Sequence, residues 1–120
     1  LMPETVKRID DCQVVTTREY IEAIELVDSL GKALDLLLTE YDIIITASAT
    51  GEAPVGLNST GDAVFQRLWT LTGLPTITLP HLKGPNGLPV GVQVVGRKGK
   101  DKELFEAAKW LDRVMEDHNE

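Results

Sequence analysis

The chain has 120 residues, of which 42% are hydrophobic and 26% are charged, and its 12 basic and 19 acidic side chains leave a net charge of −7. This length and composition predict one domain or less over residues 1–120, built around a single core. We expect no nucleic-acid partner, because the net charge is negative and phosphate binding depends on clustered lysine and arginine. With neither a signal peptide nor an apolar run of about 20 residues, we expect a cytoplasmic protein without a membrane partner.

The first third of the chain is predicted to be helical. Pro3 suits the first turn of a short amphipathic helix, in which Val6 and Ile9 lie three residues apart. A long helix follows, with Thr16 and Glu19 at the spacing of a capping box. Its predicted buried stripe recurs every three or four residues and comprises Tyr20, Ile24, Val27, Leu30, Leu34, Leu37 and Tyr41.

A buried strand and a long loop come next. Three consecutive isoleucines after Asp42 predict an interior strand with both faces buried. The loop 47–59, "ASATGEAPVGLNS", is long for a connection, and loops of this length usually have a function or lie against another part of the protein. We therefore regard this loop as a candidate contact surface.

The stretch 59–80, "STGDAVFQRLWTLTGLPTITLP", predicts a helix and then a strand. Thr60 is the predicted N-cap, Asp62 lies in the first turn, and Gly73 is expected to follow the last turn with a positive φ. The helix should be about 11 residues long, because a capping residue marks its N-terminus and a glycine marks its C-terminus. Its expected packing face comprises Phe65, Leu68 and Trp69.

The last part of the chain predicts two strands and a helix. Pro75 and Pro80 mark the limits of the first strand, and the turn pair Asn86-Gly87 predicts an antiparallel return through residues 90–96. Asp101 is the predicted N-cap of the final helix. The buried stripe of this helix should comprise Leu104, Phe105, Ala108, Leu111 and Met115.

No catalytic set emerges from the residue types and their spacing. The serines, which are Ser29, Ser48 and Ser59, stand in no G-x-S-x-G motif and suit capping and turn roles. His81 and His118 lie far apart, and Cys12 is the one cysteine, so no metal site is expected. Neither G-x-G-x-x-G nor a phosphate-binding G-K-[ST] loop is present, so we expect no cofactor.

One group of residues has two interpretations. Asp62 with Phe65 and Trp69 can line a pocket that has one polar anchor and two aromatic walls. The same residues also suit a negative charge at a helix N-terminus above a core aromatic pair. The local pattern by itself leaves both interpretations open.

The order of motifs resembles the C-terminal region of amidase signature enzymes. Residues 41–112 contain a strand beginning "YD", a loop with "AP", then "TGD", an aromatic residue and "W", "GLP", a strand ending in proline, and "GLPVGVQ" followed by "VG". The earlier "REY" helix is also similar, so the resemblance spans essentially the whole chain. One departure is the absence of the proline that relatives commonly have around Ala47, which affects the path of the loop.

The resemblance implies an α/β fold, namely the C-terminal part of a mixed-sheet α/β/α amidase-type domain with helices at both ends. The implied activity is hydrolysis of a carboxamide to a carboxylate plus ammonia or an amine, without a metal or cofactor. The family's catalytic serine, cis-serine and lysine lie N-terminal to this region, so no catalytic residue is expected here. The expected role is that of scaffold and substrate-pocket wall, with Thr60, Asp62, Phe65 and Trp69 as the substrate-binding candidates.

The expected partner is the N-terminal remainder of an amidase, or a second copy that covers the sheet edges, and a small amide substrate is expected only in the complete enzyme. A free-standing, non-catalytic α/β interaction module or homodimer is the alternative, because unpaired strands need a cover. A narrower alternative is the A subunit of a tRNA-dependent amidotransferase. The segment "TGDAVFQRLWTL" is more similar to the general amidases.

Overall fold

The described part of the computed structural model is residues 3–117, and it alternates helices with short strands. Its elements are α1 (Pro3–Cys12), α2 (Thr17–Glu40), β1 (Ile44–Ala47), α3 (Val64–Thr72), β2 (Thr76–Lys83), β3 (Pro89–Val95) and α4 (Asp101–Asp117). A long connection, residues 48–63, joins β1 to α3. Among these residues, no helix has the length and apolarity needed to cross a bilayer.

The three strands form one sheet in the order β1-β3-β2, and β3 is antiparallel to both neighbours. Val95 of β3 pairs with Ile44 of β1 and Thr76 of β2, and Val94 pairs with Ile45 and Ile77. The antiparallel pairing predicted from the Asn-Gly turn is confirmed. The twofold periodicity of a strand then sends Val94 and Val95 to opposite faces of the sheet.

Helices cover both faces of the sheet, and β3 is buried between them. Val94 and Val95 are both 0% exposed. The core on the first face joins α2, α3 and β3 and comprises Leu38, Trp69, Leu74 and Val95. The core on the second face joins the sheet to α4 and comprises Leu79, Val94 and Leu104. The layers are therefore helix, sheet and helix, which agrees with the α/β fold that the resemblance implied.

Helix α2 begins as predicted but is covered over only part of its length. The hydroxyl of Thr16 accepts a hydrogen bond from Glu19 N at 3.3 Å, and Thr16 N donates to Glu19 Oε2 at 2.8 Å, which completes the capping box. The predicted stripe is wrong at five of its positions, which are exposed: Tyr20, Ile24, Leu30, Leu37 and Tyr41. The buried residue of the helix is Leu38, which was not in the predicted stripe. The short helix α3 packs against the later turns, through Leu34 and Leu38.

The start of α3 differs from the prediction, because Thr60 is not its cap. The helix begins at Val64, and its N-cap residue, Ala63, makes no side-chain cap bond. The backbone at Gly61 has a φ of 88°, which interrupts a helix, and Gly61 N donates to Ser59 Oγ at 3.1 Å instead. The helix is therefore 9 residues long. Its other end is as predicted, since Gly73 follows it with φ 68° and ψ 30°.

Replacement of Gly73 by valine is expected to lower the free energy of unfolding by about 1–2 kcal/mol, because an L side chain is strained in the left-handed region. Urea unfolding measures this loss. The control is Gly31→Ala within α2, where an added Cβ has no atom within 4 Å, and it should stabilise the helix by about 0.5–1 kcal/mol. Unchanged stability of Gly73→Val would count against a role for the positive φ.

Two strand predictions are corrected by the sheet. β1 is an edge strand within the described residues, and Ile45 is 53% exposed, so the strand is not buried on both faces. β2 does not end at Pro80 but continues to Lys83. The register shifts between Leu79 and Leu82, because proline has no N–H to donate to the ladder and is accommodated at an irregularity.

Two predictions for α4 are also corrected. The helix starts at Asp101 itself, so Asp101 is its first residue and not the cap before it. Leu104 and Ala108 are buried, but Phe105 is 66% exposed, so it does not belong to the buried stripe. Adjacent residues of a helix differ by about 100° in direction, and the face that meets β2 includes Leu104.

Candidate functional site

The residues predicted from the sequence to bind substrate lie at different depths. Thr60 and Asp62 are exposed, and Asp62 Oδ1 accepts a hydrogen bond from Arg67 Nη2 at 3.0 Å. Phe65 is half-buried, whereas Trp69 is only 9% exposed and belongs to the core. Two surface cavities, of about 490 and 460 Å³, are lined by other residues. The structure thus places two of the four on the surface and Trp69 inside.

A polar cluster that the sequence did not reveal lies where β1 ends. Ser48 is buried, and its backbone N donates to Gly91 O at 3.0 Å. Ser48 Oγ donates to Thr78 Oγ1 at 3.2 Å, and Gln66 Nε2 donates to the carbonyl oxygen of Ser48. We call Ser48, Gln66 and Thr78 the Ser48 cluster. It joins the start of the 48–63 connection to both β2 and α3.

The cluster rests directly on the backbone of β3. A Cβ at Gly91 would lie 2.4 Å from Thr78 Cγ2 and 2.7 Å from Ser48 Oγ. Both distances are far shorter than van der Waals contact, so glycine is needed at this position for the side chains to approach the strand. In the sequence, Gly91 is visible as part of the motif "GLPVGVQ", but nothing local indicates which atoms occupy the space above it.

Three buried polar atoms have no hydrogen-bond partner among the described residues: Gln66 Oε1, which belongs to the Ser48 cluster, Trp69 Nε1 and Gln93 Oε1. Gln93 pairs with Thr46 and Thr78 in the sheet, so its side chain lies on the same face as theirs. Leaving such a group unpaired costs about 1–3 kcal/mol, and each one calls for a specific explanation. The α2–α3 side of the sheet is therefore polar at this end.

A single carboxylate ties the 48–63 connection to the tip of the β2–β3 hairpin. Glu52 Oε1 accepts from Asn86 N at 2.8 Å and from Leu88 N at 3.0 Å, and Glu52 Oε2 accepts from Asn86 Nδ2 at 2.7 Å. Burial alone raises the pKa of the Glu52 carboxyl, but the hydrogen bonds from the hairpin tip together outweigh it and lower the pKa. We call Glu52, Asn86 and Leu88 the Glu52 clamp.

A second pair of charges anchors α2. Arg97 Nε and Nη2 donate to Asp35 Oδ1 and Oδ2 at 2.7 and 2.9 Å, which is a bidentate geometry. These hydrogen bonds lower the pKa of Asp35 and raise that of Arg97. The pair therefore connects α2 to the segment between β3 and α4.

Ser48 and His81 lie on opposite faces of the sheet, and each has its own partner. The Ser48 hydroxyl bonds to the Thr78 hydroxyl and not to a base. His81 Nε2 lies 2.6 Å from Asp112 Oδ1 of α4, on the face of the sheet opposite the Ser48 cluster. Within residues 3–117, no three His, Cys, Asp or Glu side chains are grouped to hold a metal ion. His118, the other histidine, lies outside the described residues.

Comparison with known proteins places the fold in a family. The Amidase family model matches residues 1–105. The chain belongs to the amidase family. It is 32% identical over 104 residues to the A subunit of glutamyl-tRNA(Gln) amidotransferase from Agathobacter rectalis, and this match covers 81% of the chain but 21% of the relative. The A subunit of the mitochondrial enzyme of the same name from Ornithorhynchus anatinus is 33% identical over 62% of the chain and 16% of the relative.

Two solved structures share the fold of this amidase chain. The 6-aminohexanoate cyclic dimer hydrolase superimposes with a TM-score of 0.70 at 23% identity, over 93% of this chain and 27% of the hydrolase. The A subunit of glutamyl-tRNA(Gln) amidotransferase from Thermotoga maritima has a TM-score of 0.58 at 28% identity, over 85% of this chain and 25% of its own. The chain spans about a fifth of the length of the first curated relative and about a quarter of these structures.

Proposed function

We propose that this chain is the C-terminal segment of an amide hydrolase, in which it acts as scaffold and as part of the substrate-pocket wall. The observation that carries the proposal is the family match over residues 1–105, in a chain that spans only about a fifth of the first curated relative. The reaction would convert a carboxamide to a carboxylate plus ammonia or an amine. The partner of this segment is the N-terminal remainder of the enzyme.

The shape and surface of the chain support a scaffold role. Its radius of gyration is 17.5 Å, whereas a compact domain of this length has about 14 Å. Large apolar side chains are exposed on several elements, including Tyr20 and Leu36 of α2, Ile45 of β1 and Trp110 of α4. An isolated domain rarely exposes so much apolar surface, and an unpaired strand edge such as that of β1 is normally covered. These faces suit burial in a larger core.

The catalytic groups would come from the remainder of the enzyme. In the family, a serine attacks the carbonyl carbon after passing its proton through a cis-serine to a lysine, and backbone N–H groups stabilise the anionic intermediate. The Ser48 hydroxyl has a hydroxyl partner and no base, which fits a lining role for this chain. Its contribution is to hold the pocket wall in position while the chemistry proceeds elsewhere.

The proposed pocket wall is the 48–63 connection together with the first turns of α3. Thr60 and Asp62 are exposed there, Phe65 is half-buried beside them, and Trp69 supports the wall from the core. The Glu52 clamp and the Ser48 cluster hold the connection at two points, so hydrogen bonds define its path. A wall positioned in this way restricts the orientation of a substrate.

A homodimer is the second candidate, because the edge of β1, which has no partner strand among residues 3–117, and the exposed Ile45 also suit a second copy of the chain. In that case the chain would be a non-catalytic interaction module. The two candidates differ in what they need for stability. The amidase segment needs a different polypeptide to cover its exposed faces, whereas the interaction module needs only a second copy of the same chain.

Reconstitution separates the two candidates. The chain is mixed with an amidase segment that contains the serine, cis-serine and lysine but lacks the region matched here, and hydrolysis of simple amides is followed by ammonia release. We expect no turnover from either part alone and measurable turnover from the mixture. The control is the same mixture with the catalytic serine replaced by alanine. A stable, monodisperse homodimer that shows no complementation would contradict the amidase proposal and support the interaction module.

A further inference from the structure

The tip of the β2–β3 hairpin contains a dipeptide with its own chemistry, Asn86-Gly87. Asn86 is exposed, and Gly87 has a φ of 82°. The side-chain amide of an asparagine is open to attack by the backbone nitrogen of the next residue, and this attack is least hindered when that residue is glycine, which has no Cβ. Most such dipeptides in flexible turns lose ammonia spontaneously. Here the dipeptide is held by the Glu52 clamp.

We propose that Asn86 is a deamidation site kept closed by Glu52, and that its conversion to aspartate opens the Glu52 clamp and frees the 48–63 connection. The change would be irreversible and would need no enzyme, cofactor or oxidant. It is independent of the proposed amidase function.

The reaction balances with water as its only co-reactant. The deprotonated Gly87 nitrogen attacks Asn86 Cγ, the new N–C bond closes a five-membered succinimide, and the Cγ–Nδ2 bond breaks with release of ammonia. Water then adds to one of the two succinimide carbonyls and breaks one C–N bond, which produces aspartate or isoaspartate. The sum is asparagine plus water to aspartate plus ammonia, and no atom is oxidised or reduced.

The contacts in the structure oppose the first step. Asn86 Nδ2 and Asn86 N both donate to the carboxylate of Glu52, so the side chain is not free to turn towards Gly87. Gly87 N donates a hydrogen bond to Gly84 O at 3.0 Å, and this hydrogen bond must break before the nitrogen can attack. The negative charge of Glu52 also disfavours deprotonation of the nearby Gly87 amide. In addition, the Glu52 carboxylate has no proton to donate to the departing ammonia.

The same contacts explain why aspartate at this position would open the clamp. The Nδ2 donor, 2.7 Å from Glu52 Oε2, would be replaced by a second carboxylate oxygen, so attraction would become repulsion between like charges. Glu52 packs closely against the hairpin backbone, since a Cβ at Gly84 would lie 2.3 Å from Glu52 Cγ. The repulsion is relieved when Glu52 moves away from the hairpin, and the 48–63 connection, with the fully exposed Val55 and Leu57, moves with it.

The first arm of the test measures the rate of deamidation. Wild type, Glu52→Ala and Glu52→Gln are incubated in mildly alkaline buffer, and conversion at Asn86 is followed by peptide mass spectrometry. We expect at least severalfold faster conversion in Glu52→Ala, with Glu52→Gln in between. Glu22→Ala, which removes an exposed carboxylate elsewhere, should match wild type. Amide protection of β3 in the same samples verifies that the variants remain folded. Equal rates in folded wild type and folded Glu52→Ala would overturn the proposal.

The second arm measures release of the connection. Hydrogen exchange over residues 50–58 is compared in wild type, Asn86→Asp and Asn86→Ala. Both variants lose the Nδ2 donor, but only Asn86→Asp adds a charge opposite Glu52, so we expect the fastest exchange in Asn86→Asp. If Asn86→Asp exchanges no faster than Asn86→Ala, charge repulsion does not open the Glu52 clamp and the proposal is wrong.

Discussion

Replacement of Trp69 by alanine is expected to lower the free energy of unfolding by about 3–5 kcal/mol, the usual cost of removing a buried tryptophan. Trp69 is the largest member of a core cluster that joins α2, α3 and β3 through Leu38, Leu74 and Val95. These neighbours come from different elements and can close only part of the cavity. Loss of the indole therefore weakens the packing of two helices on one face of the sheet.

Urea unfolding of the matched variant Trp110→Ala provides the control. Trp110 is 57% exposed on α4, so its removal should change stability by no more than about 0.5 kcal/mol. Trp69→Phe is expected to lose less than Trp69→Ala, because phenylalanine fills part of the cavity and removes the unpaired indole N–H. Equal losses for Trp69→Ala and Trp110→Ala would show that Trp69 is not a core residue.

Replacement of Gly91 by alanine is expected to lower the free energy of unfolding by about 1–3 kcal/mol, through overpacking and not through backbone strain. The added Cβ would lie 2.4 Å from Thr78 Cγ2, and Ser48 Oγ and Cβ are 2.7 and 3.0 Å away. To make room, the Ser48 cluster must move off β3, which would disturb the start of the 48–63 connection. The thermal midpoint and urea midpoint should both fall.

A double-mutant cycle identifies the crowded atom. Thr78→Ser removes Cγ2 while keeping the hydroxyl that Ser48 contacts, so it should relieve part of the clash. We expect the loss in Gly91→Ala/Thr78→Ser to be smaller than the sum of the two single losses. Additive losses would mean that Thr78 is not what excludes a side chain at position 91.

Predictions that depended on neighbouring residues were mostly correct. The capping box of Thr16 and Glu19, the left-handed Gly73 and the antiparallel return after Asn86-Gly87 all form between residues a few positions apart. The cap predicted at Thr60 was wrong, because Ser59 Oγ binds Gly61 N and the turn at Gly61 postpones the helix to Val64. The preference of Thr60 for a helix cap competed there with the preference of Ser59 and Gly61 for a turn. The residue types alone do not show which of the two is stronger.

Predictions of burial were weaker, because burial depends on what covers a face. The isoleucine strand β1 has the composition of an interior strand, yet it lies at the sheet edge with Ile45 exposed. The apolar stripe of α2 is similarly periodic but covered only in part. An apolar pattern indicates that a face favours burial, and it does not specify the element that buries it.

In the candidate site, too, residues close in sequence could be predicted and contacts between distant residues could not. Thr60, Asp62, Phe65 and Trp69 remain a prediction for the pocket wall, made from one short stretch of sequence. The Ser48 cluster joins residues 18 and 30 positions apart, and the Glu52 clamp joins residues 34 and 36 positions apart. No periodicity or local motif connects residues at such separations, so neither contact was predicted.

By itself, the amino-acid sequence determined the helices and strands, the turn between β2 and β3, and the resemblance to the amidases, because backbone preference and motif order are properties of neighbouring residues. Only the tertiary structure decided which polar groups meet at Ser48 and Glu52, and which of two adjacent residues, such as Leu104 and Phe105, is buried. Those outcomes depend on the packing of distant segments, where steric fit and hydrogen-bond geometry over a few ångströms select one arrangement.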